Sequence, residues 1–267
     1  MLGYFAARAI AGVERVDDGT YRRTVVVDGD PSVLELSYGG ADHLVLRVRG
    51  RQERDLAAVV ERARHVFNLD ADMDGALRHL GGDPVIGALV RARPGVRAAG
   101  TWDPFETGVR AIIGQQVTVA GANTLIARVV ERHGQAMAGH EELGLTHLFP
   151  DATVLADADL DGLGLVTSRA QAIRAFARAV ADREVRLDRT AGLEELVASI
   201  TSLPGLGPWT AHYIALRLGE RDAFPASDLG LRRALDPSTP LSEKALAAMA
   251  EAWRPWRALA AAQLWMA

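Results

Sequence analysis

Two neighbouring stretches, "LPGLGPWTAHY" at 203–213 and "FPASDLGLRRAL" at 224–235, hold the residues of this chain best suited to chemistry. Asp228 stands among apolar neighbours, after a proline and before a helix-like run. Aspartate is a preferred helix N-cap, and that is the first reading of it. Capping does not exclude catalysis, because the dipole and amides of a helix start favour an ionised carboxylate, which can stabilise a nearby cation. Upstream, Gly205 and Gly207 can take backbone angles closed to other residues, and Pro208 suits the first position of a helix. Such a turn offers amides and the positive end of a helix dipole to an anionic oxygen such as a DNA phosphate, with the Thr210 hydroxyl as a further donor. By itself, G-x-G is also an ordinary connection between packed helices. Trp209 and Tyr213, four residues apart, share one helix face, either as core packing or as an aromatic wall.

The elements that must position these residues are mostly helical. From Asp55 onward, "DLAAVVERARHVF" and later stretches place apolar residues at helical spacing. The one convincing sheet is expected within residues 20–49, where "TYRRTVVV", "SVLELSY" and "HLVLRVR" are separated by Gly, Asp and Pro. Linker-like breaks fall at "GGDP", 81–84, and "RARPGVRAAG", 91–100, before a long helical part that begins near Pro104. "DADMDG" at 70–75 imitates the opening of a calcium loop, but Gly81 stands where the bidentate glutamate belongs, so it reads as a helix start.

Composition excludes several classes. With no cysteine among 267 residues, thiolate zinc sites, iron–sulfur clusters and thiol nucleophiles are ruled out. All but one of the 30 basic residues are arginine, leaving Lys244 as the sole candidate for lysine chemistry. A net charge of −4 does not advertise nucleic-acid binding, so contacts to DNA would rest on backbone amides and a local arginine face. No apolar run is long enough to span a bilayer and no signal peptide opens the chain, which makes the cytoplasm the expected location.

The combination of "LPGLGPWTAHYIALR" with "FPASDLGLRRAL" resembles the bacterial 3-methyladenine DNA glycosylase II (AlkA) family of the helix-hairpin-helix DNA glycosylase superfamily. The segments "MLGYFAARAIAGVERV", "ARPGVR", "DPFETGVRAIIGQQVTVAGANTLIARVVERHG", "GLGLVTSRAQAI" and "EAWRPWRALAAAQLW" are similar to family segments in the same order. The resemblance implies a mainly α fold with an α+β N-terminal domain, and two helical domains flanking an active cleft. The boundaries expected are 1–86 for the α+β domain, 105–222 for the helical domain with the hairpin, and 87–104 plus 223–267 for the second helical domain, which carries the acid.

It also implies an activity: hydrolysis of the N-glycosidic bond of an alkylated base rotated out of double-stranded DNA, by a monomer that needs no cofactor. Asp228 matches the catalytic aspartate, and Gly205, Gly207 and Thr210 match the phosphate anchor. Carbonyls of Thr201, Leu203 and Leu206 match a site for a monovalent cation, Na+ or K+. Trp209, Tyr213 and Trp265 match aromatics of the base pocket, with Tyr4 at another aromatic position near the cleft. Purines methylated at N3 or N7 are cationic, stack well on electron-rich rings and leave readily, so one carboxylate suffices.

Gln115 and Gln116 fall in the stretch that meets the duplex, with Gln116 at the wedge position where some relatives carry leucine. Trp209 stands where lyase relatives have a nucleophilic lysine, which implies hydrolysis without strand cleavage. Met266 departs from an aromatic found in relatives. His212 is expected at a surface or interdomain position. Relatives have extra residues before the first strand, which fits a domain cut from a longer protein. Two other readings stay open: a binding module that holds lesions without cutting, and a glycosylase for deaminated or oxidised bases.

Overall fold

A computed structural model describes all residues except 41, 51–55, 189 and 191. The chain divides into two units, each made of two segments: residues 1–63 with 108–182, and residues 64–107 with 183–267. The division falls inside α2 (Leu56–Val66) and α5 (Pro104–Gly114). Asp55, where the periodicity places the start of α2, lies outside the described residues.

In the first unit, α1 (Leu2–Arg8) leads into β1 (Glu14–Asp17), β2 (Thr20–Val27), β3 (Asp30–Tyr38) and β4 (Leu44–Arg49), an antiparallel sheet in chain order. Two Asp-Gly turns build most of it. Asp18-Gly19 and Asp28-Gly29 all have positive φ, as two-residue hairpin turns require, and they set the registers Asp17↔Thr20 and Val27↔Asp30. Strand β1 lies before the expected sheet, and the Asp-Gly pair behind it was its available signal. A two-stranded sheet, β5 (Gln135–Ala136) and β6 (His147–Leu148), is also additional to the expected one.

Helices α5, α6 (Val119–His133), α7 (Ala152–Ala156) and α8 (Thr167–Ala181) complete this unit. Gly108 allows α5 to approach the Phe176 ring of α8 more closely than any Cβ would permit. One buried carboxylate ties strand to helix. Glu14 accepts from Tyr21 Oη at 2.6 Å and from Arg110 at 2.9 Å, and lies 3.7 Å from Arg23.

The second unit is helical: α3 (Met73–Gly81), α4 (Gly87–Ala92), α9 (Leu193–Thr201), α10 (Pro208–Arg217), α11 (Leu229–Arg233), α12 (Glu243–Ala250) and α13 (Arg257–Trp265). As expected, the "DADMDG" stretch is a helix start: Asp72 caps α3 by accepting from the Gly75 amide, and Asp70 pairs with Arg64. Trp253, fully buried, meets Phe224 edge-on at 5.8 Å in the core. Among the described residues, no helix is long and apolar enough to cross a membrane.

Candidate active site

The backbone bonds of the turn between α9 and α10 include Ser202 N to Ala198 O, Leu203 N to Ile200 O and Leu206 N to Leu203 O, each 3.1–3.2 Å long. Gly205 is left-handed at φ +80°, a conformation that disfavours any other residue. Gly207 does not use that freedom. It is the N-cap of α10 at φ −107°, with open space where a Cβ would stand, and Pro208 follows at the first helical position. The first-turn amides of α10 therefore point outward with the positive end of the dipole. Thr210, in the first turn of α10, is only 1% exposed.

Eleven residues beyond α10, Asp228 caps α11. Its Oδ1 accepts from the Leu231 amide at 3.0 Å, the bond its N-cap reading predicts. The same oxygen accepts from Trp265 Nε1 at 3.0 Å, and Oδ2 accepts from Trp209 Nε1 at 2.9 Å. The carboxylate is thus gripped by two indoles and one amide, all neutral. Gly230 keeps a side open, since a Cβ there would lie 3.0 Å from Oδ1 and 3.5 Å from Trp265 Cδ1.

The aromatic residues form one assembly. Trp209 stacks on Tyr213 at 5.3 Å and 18°, and Tyr213 meets Trp265 edge-on at 6.2 Å. Arg217, one turn beyond Tyr213 and buried, lies over both the Tyr213 and Trp265 rings, at 4.9 and 5.3 Å. It also donates to Ala99 O at 2.8 Å, which fixes α10 to the segment before α5. Sequence reasoning missed Arg217, although its four-residue spacing from Tyr213 was visible. His212 is half-buried: its Nδ1 accepts from the Phe224 amide at 3.4 Å. Burial lowers its pKa, the Arg257 charge adds to this, and Asp222 and Glu194 oppose it. Lys244 is exposed on α12, as is Met266 after α13.

The other expected residues belong to the first unit. Tyr4 packs edge-on against Phe5 at 5.4 Å, under the Arg8 guanidinium at 4.2 Å. Gln115 and Gln116 join α5 to α6, where Thr118 caps α6 by accepting from the Gly121 amide at 3.1 Å. Gln116 is exposed and left-handed at φ +58°.

Two helices joined through a left-handed glycine, the second opening on a glycine and a proline, are a helix-hairpin-helix. Residues 1–103 match the profile of the AlkA N-terminal domain, and residues 109–258 match that of the HhH-GPD superfamily base excision DNA repair protein. The chain is 38% identical over 268 residues to a Mycobacterium tuberculosis protein named probable bifunctional transcriptional activator/DNA repair enzyme AlkA, covering 99% of this chain and 53% of that one. It therefore spans about half the length of that relative. It is 33% identical to the Escherichia coli DNA-3-methyladenine glycosylase 2, covering 99% of this chain and 92% of that one. Among solved structures, a 3-methyladenine DNA-glycosylase from Archaeoglobus fulgidus superposes with a TM-score of 0.85 at 25% identity, covering 99% of this chain and 92% of that one. The chain belongs to the HhH-GPD superfamily of base excision DNA repair proteins, with an N-terminal domain of the AlkA type.

Proposed function

We propose that this chain is a base excision repair glycosylase of the AlkA type, acting on alkylated purines in double-stranded DNA. The observation that carries the reading is the environment of Asp228, a carboxylate held rigidly by neutral donors and left uncompensated by any ion pair among the described residues. In the proposed reaction the damaged base is rotated out of the duplex and stacks on the indoles. The bond from C1′ to the base nitrogen breaks, and its electron pair leaves with the base, neutralising the positive charge of an N3- or N7-methylated purine. The sugar becomes oxocarbenium-like, and Asp228 stabilises that charge and takes a proton from the water that attacks C1′.

The hairpin amides at Gly205 and Gly207 hold a backbone phosphate beside this site, and Gln116 enters the stack vacated by the base. With Trp209 in place of a lysine nucleophile, no Schiff base forms and the strand stays intact. The neutral carbonyls of Thr201, Leu203 and Leu206 suit a monovalent cation better than a divalent one, for which the turn supplies no carboxylate. Na+ or K+ bound there would stiffen the turn. The protein works as a monomer without a catalytic cofactor.

The test is release of free base from a duplex containing 7-methylguanine, by wild type and by Asp228→Asn. Release by wild type without strand cleavage, lowered about a thousandfold in the variant, is the expected result. Binding of the lesion without release by wild type refutes the catalytic reading and leaves a lesion-binding module.

A further inference from the structure

We infer that Arg169 is a positioning residue, which locks the turn after α5 in the conformation that presents Gln116. The inference rests on the proposed contact of Gln116 with DNA. At the end of a helix the left-handed residue is by default glycine, sometimes asparagine, because a Cβ there meets the following carbonyl. This turn instead holds a long amide side chain at φ +58°, exposed and followed by two apolar side chains that are also open to solvent, Val117 at 37% and Val119 at 43%. A conformation of this kind persists only where its surroundings over-determine it.

The constraint comes from a helix far along the chain. Arg169, in the first turn of α8, donates from Nη2 to the carbonyl of Gln115 at 2.5 Å, across 54 residues of sequence. That carbonyl belongs to the peptide that enters Gln116, so the bond fixes the plane from which its φ is measured. Among the described residues the Arg169 Nε is buried with no hydrogen-bond partner, while Nη2 makes the bond to Gln115. On the other side, the Thr118 hydroxyl caps α6, so the turn is held at both ends and Gln116 is the residue left to project.

Preorganising an inserted side chain matters only where there is a stack to enter. The experiment compares release of 7-methylguanine from duplex and from single-stranded DNA, by wild type, Arg169→Lys, Arg169→Met, Gln116→Ala and the double variant Arg169→Met/Gln116→Ala. Arg169→Met is expected to lower the duplex to single-strand ratio of kcat/KM about tenfold, with Arg169→Lys recovering part of it. In the Gln116→Ala background, removing Arg169 is expected to leave the ratio unchanged, because there is no side chain left to present. Equal losses on both substrates, or additive losses in the double variant, overturn the inference, and so does an unchanged ratio. Should Arg169→Met fail to fold, Arg169→Lys in both backgrounds gives the same cycle with a smaller amplitude. If wild type releases no base from either substrate, the proposed function itself falls and the inference falls with it.

Discussion

Glu14 in the first unit and Asp228 in the second are both carboxylates fixed by several donors, yet they are built for opposite ends. Glu14 is buried, which pushes its pKa up. The charges of Arg110 and Arg23, with hydrogen bonds from Arg110 and Tyr21, more than offset that and hold it below the usual range. Its charge is consumed in joining β1 to α5. Asp228 has no guanidinium as partner among the described residues, only two indole N–H groups and one amide. Those donors fix its direction and carry no opposite charge. The contrast separates a carboxylate paired with guanidinium groups from one held by neutral donors alone, the feature on which the proposed function rests.

The largest expected effect tests the first half of this contrast. Glu14→Gln leaves Arg110 and Arg23 facing a neutral amide in a buried setting and is expected to cost about 3–5 kcal/mol in urea unfolding. Asp228→Asn, by contrast, keeps an acceptor for the Leu231 amide and should lie within about 1 kcal/mol of wild type. Equal losses would break the contrast. A smaller effect sharpens the second half: Trp265→Phe keeps a ring but removes one donor to Oδ1, and single-turnover release should slow about tenfold with little change in stability. An unchanged rate would show that the indole grip is packing alone.

The smallest effect concerns pH, and the two units again differ. Because the folded pKa of Glu14 is lowered, its contribution is complete above its ordinary value of 4.5 and is lost as pH falls through the folded value. His212 also has a lowered pKa, so the folded state resists the proton that the unfolded chain accepts. Its penalty is absent above 6.5 and develops as pH falls below that value toward the folded one. Stability measured between pH 7 and 5 should therefore decline less steeply in His212→Gln than in wild type. Identical slopes would show that the ring is not protected from protonation.

Much of this was legible where the relevant physics is local. The Asp-Gly pairs announce two hairpins, Gly207-Pro208 announces the start of α10, and Asp228 followed by an apolar run announces a cap. Contacts between distant segments were not legible. The bonds from Trp265 to Asp228, 37 residues apart, and from Arg110 to Glu14, 96 apart, exist only once helices have docked. Gln116 shows the same limit, because nothing in "IIGQQVTV" declares a left-handed backbone until Arg169 arrives from α8. The burial of Thr210 was not legible for a related reason: the register of a helix start says which residues are near the turn, and packing decides which of them the core covers.

Trp265 belongs to α13, which leaves the ribosome after every other part of the assembly around Asp228 has been made. A five-residue helix such as α11 has too few turns to hold itself together unaided. During synthesis the Asp228 carboxylate therefore has its Leu231 and Trp209 donors in the chain before the third, Trp265, is made, and its full grip waits for α13 to seat.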